Sequence, residues 1–312
     1  MRGNVSWTTL AGVVGVPLGI LCVLYKVFTY RSRVKLKDKV VLITGATSGV
    51  GKACAAAFFK AGCHVILASR NTKQLQSVQE QLENLPSGKD MRHPPKYVDI
   101  DLEDLQSIAN KAKQVLAIHG RVDVLINNAG ISCRGSVEDT SLETDMRLMT
   151  VNYFGHVALT KALLPSMLRT GGHIVAVSSI QGKIAIPYRS SYAASKHALQ
   201  AFFDSMRAEV ADRNVHICVV SPGYIRTSLS INALCGDGSK YGQMEESLAK
   251  GMSPESVADK IMSAVIYGDS EVIIGPVLHR TVCYLRNIVP NIFFRAMQVR
   301  AKNEQRQYLK KN

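Results

Sequence analysis

The chain has 312 residues, 46% of them hydrophobic and 20% charged, a globular composition that excludes a mainly disordered protein. Its net charge of +14, from 38 Lys and Arg against 24 Asp and Glu, suits an anionic membrane surface, a phosphorylated ligand or nucleic acid. Seven scattered cysteines form no C-x-x-C and no Cys/His group with zinc spacing, so reduced thiols and no metal site are expected.

Residues 1–7 are a short N-terminal segment. From Thr8 to Tyr25 no residue carries a formal charge, and the run continues through Tyr30. Segment 8–30 therefore has the length of a spanning helix, about 20 residues. Trp7 and Tyr30 stand at its ends, where interfacial aromatics belong. A cleaved signal peptide would need a basic start, a shorter apolar run and a small-residue cleavage site. Here the basic residues follow the run, at Arg31, Arg33, Lys35 and Lys37, with only Arg2 before it. A retained single-pass signal-anchor is expected, with 31–37 as a basic juxtamembrane linker on the cytosolic side. The one glycosylation sequon, Asn4-Val5-Ser6, lies beside the membrane and the body has none, which agrees with a cytosolic body. The endoplasmic reticulum membrane is the expected location, the peroxisomal membrane the alternative.

Short Val- and Ile-rich runs then recur: 40–44, 64–69, 96–100, 122–127, 173–178, 215–220 and 271–275. They lack strict alternation, as do strands buried on both faces of a parallel sheet. Stretches with helical spacing separate them, among them 50–61, 72–84, 104–118, 192–211 and 254–267. Ser253 and Pro254 form a capped start for the last of these. Residues 86–95 read as a loop. The alternation predicts an α/β, Rossmann-like, doubly wound parallel sheet as a single domain over 38–275. Residues 276–312 follow as an apolar, then basic, C-terminal segment.

The first strand runs into Thr44-Gly45-Ala46-Thr47-Ser48-Gly49-Val50-Gly51, and a helix follows. Glycines there let the backbone turn and approach a pyrophosphate at a helix N-terminus. The spacing, Gly-x-x-x-Gly-x-Gly, is neither the usual dinucleotide fingerprint nor a P-loop. A carboxylate ending the second strand would bind the ribose 2′-hydroxyl of NAD. This chain has Ser69-Arg70 instead, residues that suit a 2′-phosphate. Further along, Tyr192 and Lys196 lie four apart on one helix face. A nearby ammonium stabilises phenolate, which makes Tyr192 a candidate acid/base. Ser178 and Ser179 close the preceding strand, at the edge where ligands bind.

Taken together these motifs resemble the short-chain dehydrogenase/reductase family, over most of residues 38–230. The glycine motif matches Thr44 to Gly51, and the adenine-capping Asp matches Asp101, followed by Leu102. The Asn-Asn-Ala-Gly run is Asn127 to Gly130, which puts Asn128, Ala129 and Gly130 at the cofactor. The catalytic positions match Asn152, Ser179 (13 residues before the Tyr), Tyr192 and Lys196. Pro222-Gly223 follow the sixth strand, with Ile225 and Thr227 near the carboxamide. The stretches ALTKALLPSM, SSIQGK and YAASKHALQAFFDSMRAE are most similar to those of a membrane-anchored member. One departure is Ser48, where NADP-using members often carry a basic residue just before the middle glycine. NADP(H) is the expected cofactor and NAD(H) the alternative.

The resemblance implies hydride transfer between a nicotinamide and a carbonyl or alcohol. Ser179 and Tyr192 would bind the substrate oxygen, and Tyr192 would move the proton. Lys196 would lower the Tyr192 pKa and hold the nicotinamide ribose, and Asn152 would keep a water beside Lys196. Residues 224–252 would form the substrate lid, with Leu229, Ile231, Leu234, Tyr241 and Met244 either suiting a lipid, steroid or retinoid or serving as plain packing. The apolar stretch Val277–Met297 and the basic tail would dock on a membrane or pack on the domain. A homo-oligomer is implied through helices around 141–168 and 192–211, and no nucleic-acid partner is expected. A membrane-tethered NADP(H)-binding scaffold or sensor is the competing function, but it would not need all of Asn152, Ser179, Tyr192 and Lys196.

Overall fold

The computed structural model describes residues 33–85 and 93–309. The expected anchor at 8–30, and most of the loop read at 86–95, lie outside the described residues. Among the described residues no helix is long and apolar enough to cross a membrane.

Seven parallel strands form one sheet in the order β3-β2-β1-β4-β6-β7-β9. They are β1 (Val40–Thr44), β2 (His64–Ser69), β3 (Lys96–Asp99), β4 (Val124–Asn127), β6 (Gly172–Val177), β7 (Val215–Pro222) and β9 (Glu271–Ile274). All five residues of β1 are buried, because it has a neighbour on each edge and helices on both faces. Its register sets Val41 opposite Val65 of β2 and Val124 of β4. Two-residue strands β5 (Cys133–Arg134) and β8 (Leu234–Cys235) pair separately, and the sequence pattern did not show them. A strand that short carries no periodicity to read.

The helices between strands are α1 (Gly49–Lys60), α2 (Thr72–Glu83), α3 (Ile108–His119), α4 (Leu142–Met149), α5 (Gly155–Thr170), α6 (Ser190–Glu209), α7 (Glu246–Ala249) and α8 (Pro254–Tyr267). The predicted helix at 104–118 starts later, at Ile108, because the Asp104 carboxylate and carbonyl accept from Ser107 and hold a turn there. Ser253 caps α8 as expected, its hydroxyl accepting from the Ser256 N–H at 3.2 Å, with Pro254 in the first turn. Helices α9 (Val277–Ile288) and α10 (Pro290–Leu309) follow β9. The second packs back on the body: Phe293 joins Ile184 and Ile186, and the Tyr188 hydroxyl donates to the Ala301 carbonyl at 3.3 Å.

The chain winds outward from β1 to β3, then returns across β1 to β4. A crevice opens where the winding reverses, between the carboxyl ends of β1 and β4. The opposite end of the sheet is held by Asp123. Its buried carboxylate accepts from the Val40 N–H at 2.8 Å and pairs with Arg121 at 2.9 Å and Lys39 at 3.4 Å. Burial pushes its pKa up, but these donors outweigh burial and hold it below the usual carboxylate range. Asp123→Ala leaves the Val40 N–H unpaired and is expected to cost about 1–3 kcal/mol of stability, measured by denaturant unfolding.

Candidate active site

The first turn is built for close approach. Gly45 and Gly49 have φ of +66° and +50°, a region glycine enters without strain. A Cβ on Gly51 would overlap the Gly45 carbonyl oxygen and stand 2.6 Å from Asn128 Nδ2. Ser48 makes no side-chain cap on α1, which leaves the first N–H groups of that helix without its hydroxyl, and Gly49 and Val50 line the crevice. The residues thus form a cradle that fits a dinucleotide pyrophosphate.

Opposite this turn, residues 127–131 are held from three sides. Thr44 Oγ1 accepts from the Asn128 and Ala129 N–H groups at 2.9 and 3.1 Å. His156, fully buried on α5, stands 2.8 Å from the Ala129 carbonyl through Nε2 and 3.1 Å from the Asn127 side chain through Nδ1. A carbonyl only accepts, so Nε2 carries the proton. Burial, and then the charge of Lys196, push the His156 pKa down to about 3, which keeps the ring neutral. Asn152 grips both polar groups of Ile131, accepting from its N–H at 2.8 Å and donating to its carbonyl at 2.9 Å. It lies in a π-helical turn, Thr150–Phe154, that joins α4 to α5. Such turns redirect side chains, often at functional sites.

One continuous cleft of about 710 Å³ runs along the strand ends. Thr44, Gly45, Ser48, Gly49, Val50, Ser69, Arg70, Asp101, Leu102, Asn128, Ala129 and Gly130 line its first part. Ser179, Tyr192, Lys196, Pro222, Gly223, Ile225 and Thr227 line the second. Gly51 and Asn152 support the wall from behind. At the adenosine end the Thr47 and Ser69 hydroxyls lie 3.3 Å apart. Arg70 beside them is half exposed and faces Glu103 at 3.6 Å and Asp101 at 4.0 Å.

Tyr192 and Lys196 are buried on the first turns of α6. Lys196 Nζ donates to the Val177 carbonyl at 2.9 Å and stands 5.9 Å from the Tyr192 ring centre. Burial pushes its pKa down to about 8. Burial raises the Tyr192 pKa, and a hydrogen bond with Ser179 and the charges of Arg134 and Arg189 oppose the rise. These arginines thus join Lys196 as cations around the phenol.

Neither arginine belongs to a motif. Arg134 and Arg189 share the carboxylate of Glu245, and Arg189 also reaches Glu304 at 3.3 Å. Glu304 pairs with Arg300 at 2.8 Å, and Arg300 donates to the Tyr224 hydroxyl at 3.2 Å. Three arginines against two glutamates leave one positive charge on this network, beside the substrate end. That end is mixed rather than apolar. Leu229, Leu234 and Leu248 line it together with Ser132, Arg134, Arg189, Asn232 and Lys240. Of the five apolar residues expected as a lid, Ile231, Tyr241 and Met244 do not line the cleft, and Ile231 and Met244 are exposed.

Residues 39–234 match the family described as short chain dehydrogenase. The chain belongs to that family. It is 47% identical over 303 residues to dehydrogenase/reductase SDR family member 7B of Rattus norvegicus, covering 97% of this chain and 93% of that protein. It is 47% identical over 304 residues to the SDR family protein 7-like of Drosophila melanogaster, covering 95% and 93%. An alcohol dehydrogenase from Thermococcus sibiricus, complexed with 5-hydroxy-NADP, superposes with a TM-score of 0.66 at 28% identity, covering 77% and 97%. A short chain dehydrogenase/reductase from Burkholderia phymatum, in complex with NAD, shares the fold at 22% identity with a TM-score of 0.72, covering 83% and 96%. The resemblance read from the motifs is thus the family of the whole body.

Sequence reasoning missed Arg134, Arg189, Glu245 and His156. His156 carried a usable signal, since it falls one turn after Asn152. The Arg–Glu network joins a two-residue strand, a helix start, a short helix cap and α10, and no local pattern links them.

A charged Lys196 in this setting costs stability. The unfolded chain holds the proton between pH 8 and 10.5 while the folded chain releases it, so stability rises with pH across that window. Lys196→Met removes this penalty, a gain of up to about 3 kcal/mol at pH 7, against a pH-independent cost of about 1–3 kcal/mol for the Val177 carbonyl left without its donor. The gain should shrink as pH rises from 8 to 10.5 in thermal unfolding.

Proposed function

We propose that this short chain dehydrogenase is a membrane-anchored, NADP(H)-dependent oxidoreductase that interconverts a hydrophobic carbonyl compound and its alcohol. The observation that carries the reading is the buried Ser179–Tyr192–Lys196 group, facing a glycine-lined cradle within one cleft. A bound nicotinamide would supply or accept the hydride. Ser179 would hydrogen-bond the substrate oxygen, and the Tyr192 hydroxyl would give it a proton as charge develops there. Arg134 and Arg189 would steady the phenolate left on Tyr192. Lys196 would hold the nicotinamide ribose and return the proton through a water beside it. Asn152 has its amide committed to Ile131 and the Ser195 hydroxyl, so it would act by keeping the cleft wall in place.

NADP(H) is favoured by the missing acid at the end of β2, by the Thr47 and Ser69 hydroxyls and by Arg70. The solved relatives divide, with 5-hydroxy-NADP in the Thermococcus sibiricus protein and NAD in the Burkholderia phymatum one, so the preference rests on these residues alone. To grip a 2′-phosphate, Arg70 must leave Asp101 and Glu103. The substrate end suits an amphiphilic carbonyl, its apolar part along Leu229, Leu234 and Leu248 and a polar group toward Arg134 and Lys240. Segment 8–30 would tether the enzyme in the endoplasmic reticulum membrane, with the body in the cytosol. Tyr153 of the π-helical turn meets Phe154 beside it and Phe202 of α6 edge-on, and Phe154 is exposed, which supports a homo-oligomer through the helices around 141–168 and 192–211.

The purified protein is to be assayed with NADPH and NADH against ketosteroid, retinal and acylated ketone substrates. Tyr192→Phe should abolish turnover and leave NADPH binding intact. If this variant retained every cellular function, the scaffold reading would replace the enzyme. Arg70→Ala should weaken NADPH about tenfold, equivalent to 1.4 kcal/mol, and leave NADH unchanged in fluorescence titration.

A further inference from the structure

Helix α9 is apolar on two sides. Val282 packs against Ile184, Ile186 and Phe293, and Cys283 beside it is buried. On the other side Val277, Tyr284 and Ile288 recur at helical spacing, flanked by Leu278 and Leu285, and all five are exposed. Val277 is 74% exposed, Leu278 69% and Ile288 72%. Ile292 and Phe294 continue the exposed surface onto α10. Single exposed apolar residues need no account, but a contiguous stripe marks a contact surface.

The charge around the stripe says what covers it. Between Glu271 and Glu304 there is no acidic residue, while Arg280, Arg286, Arg295 and Lys302 supply four cations and Arg300 is paired with Glu304. Arg280, Arg286 and Arg295 are exposed. An apolar stripe edged by cations is the pattern of a helix lying in the interface of an anionic bilayer. A second copy fits poorly, because a two-fold contact sets the same surface against itself and brings arginine to arginine. The opposite, inward side of α9 lies beside the cleft. His279 of α9 is next to Gly223, and its ring centre is 5.8 Å from that of Tyr224, both residues lining the cleft.

We propose that the outer face of α9, continued by Ile292 and Phe294, docks on an anionic lipid surface and sets the cleft mouth at the lipid boundary. The proposal depends neither on the N-terminal segment nor on the identity of the substrate. The chain has one tryptophan, Trp7, so a reporter can be moved. The full chain carrying Trp7→Phe and Ile288→Trp is to be reconstituted into phosphatidylcholine vesicles with and without phosphatidylserine, using brominated acyl chains as quencher. Trp7→Phe with Lys113→Trp, on α3, serves as the control.

The expected result is a blue shift and quenching at position 288 in the serine-lipid vesicles, none at position 113, and loss of quenching in about 1 M salt, where charge reaches only about 3 Å. Arg280→Glu with Arg286→Glu should lose it too, with turnover of a water-soluble substrate unchanged. An unquenched, water-like spectrum in both vesicles would overturn the proposal. So would a blue shift that follows protein concentration without lipid quenching, since a second copy would then cover the face. Equal quenching in neutral vesicles would overturn the assignment to an anionic surface.

Discussion

The cleft depends on how residues 127–131 are held. This segment leaves the sheet at β4 with its backbone groups turned away from any ladder, and buried backbone groups need partners. Thr44 takes the N–H groups of Asn128 and Ala129, His156 takes the Ala129 carbonyl, and Asn152 takes both groups of Ile131. Each partner comes from a different element: β1, α5 and the π-helical turn. The arrangement forms only when sheet and helices are already packed, and it sets the floor on which a dinucleotide would rest.

Around that floor the protein buries groups that are costly to bury. Lys196 gives up much of its affinity for a proton, and His156 stays neutral behind it. Tyr192 is raised by the same dry surroundings, while two arginines and Ser179 pull it back. In a low dielectric these terms are larger than at a surface, and such opposed shifts are common where acid and base chemistry is done. Glu245 lets the arginines sit there at all. Burial would push its pKa up, yet the two guanidinium groups hold it low, so it stays charged as their counter-ion. Through Glu304 the same network ties α10 to the substrate end, and helices far along the chain become part of the site.

Much of this was legible before folding. The Val- and Ile-rich runs marked the strands because both faces of the sheet are covered, and the glycine turn was recognisable because a backbone that approaches a phosphate cannot carry side chains there. Tyr192 and Lys196 were paired by the four-residue spacing of a helix. Boundaries shifted where side chains competed with the helix, as Asp104 does ahead of α3. The substrate end was read as apolar from residue types alone, and the arginines and Lys240 show it to be mixed.

Sequence by itself determined the parallel α/β fold, the family and the residues of the two motifs, because each rests on short-range periodicity or on spacing along one element. Tertiary structure alone decided that Arg134 and Arg189 join the site, where His156 acts and which side of α9 stays uncovered. Those outcomes depend on groups brought together across tens of residues, and on a burial that changes their charge. No local pattern encodes either.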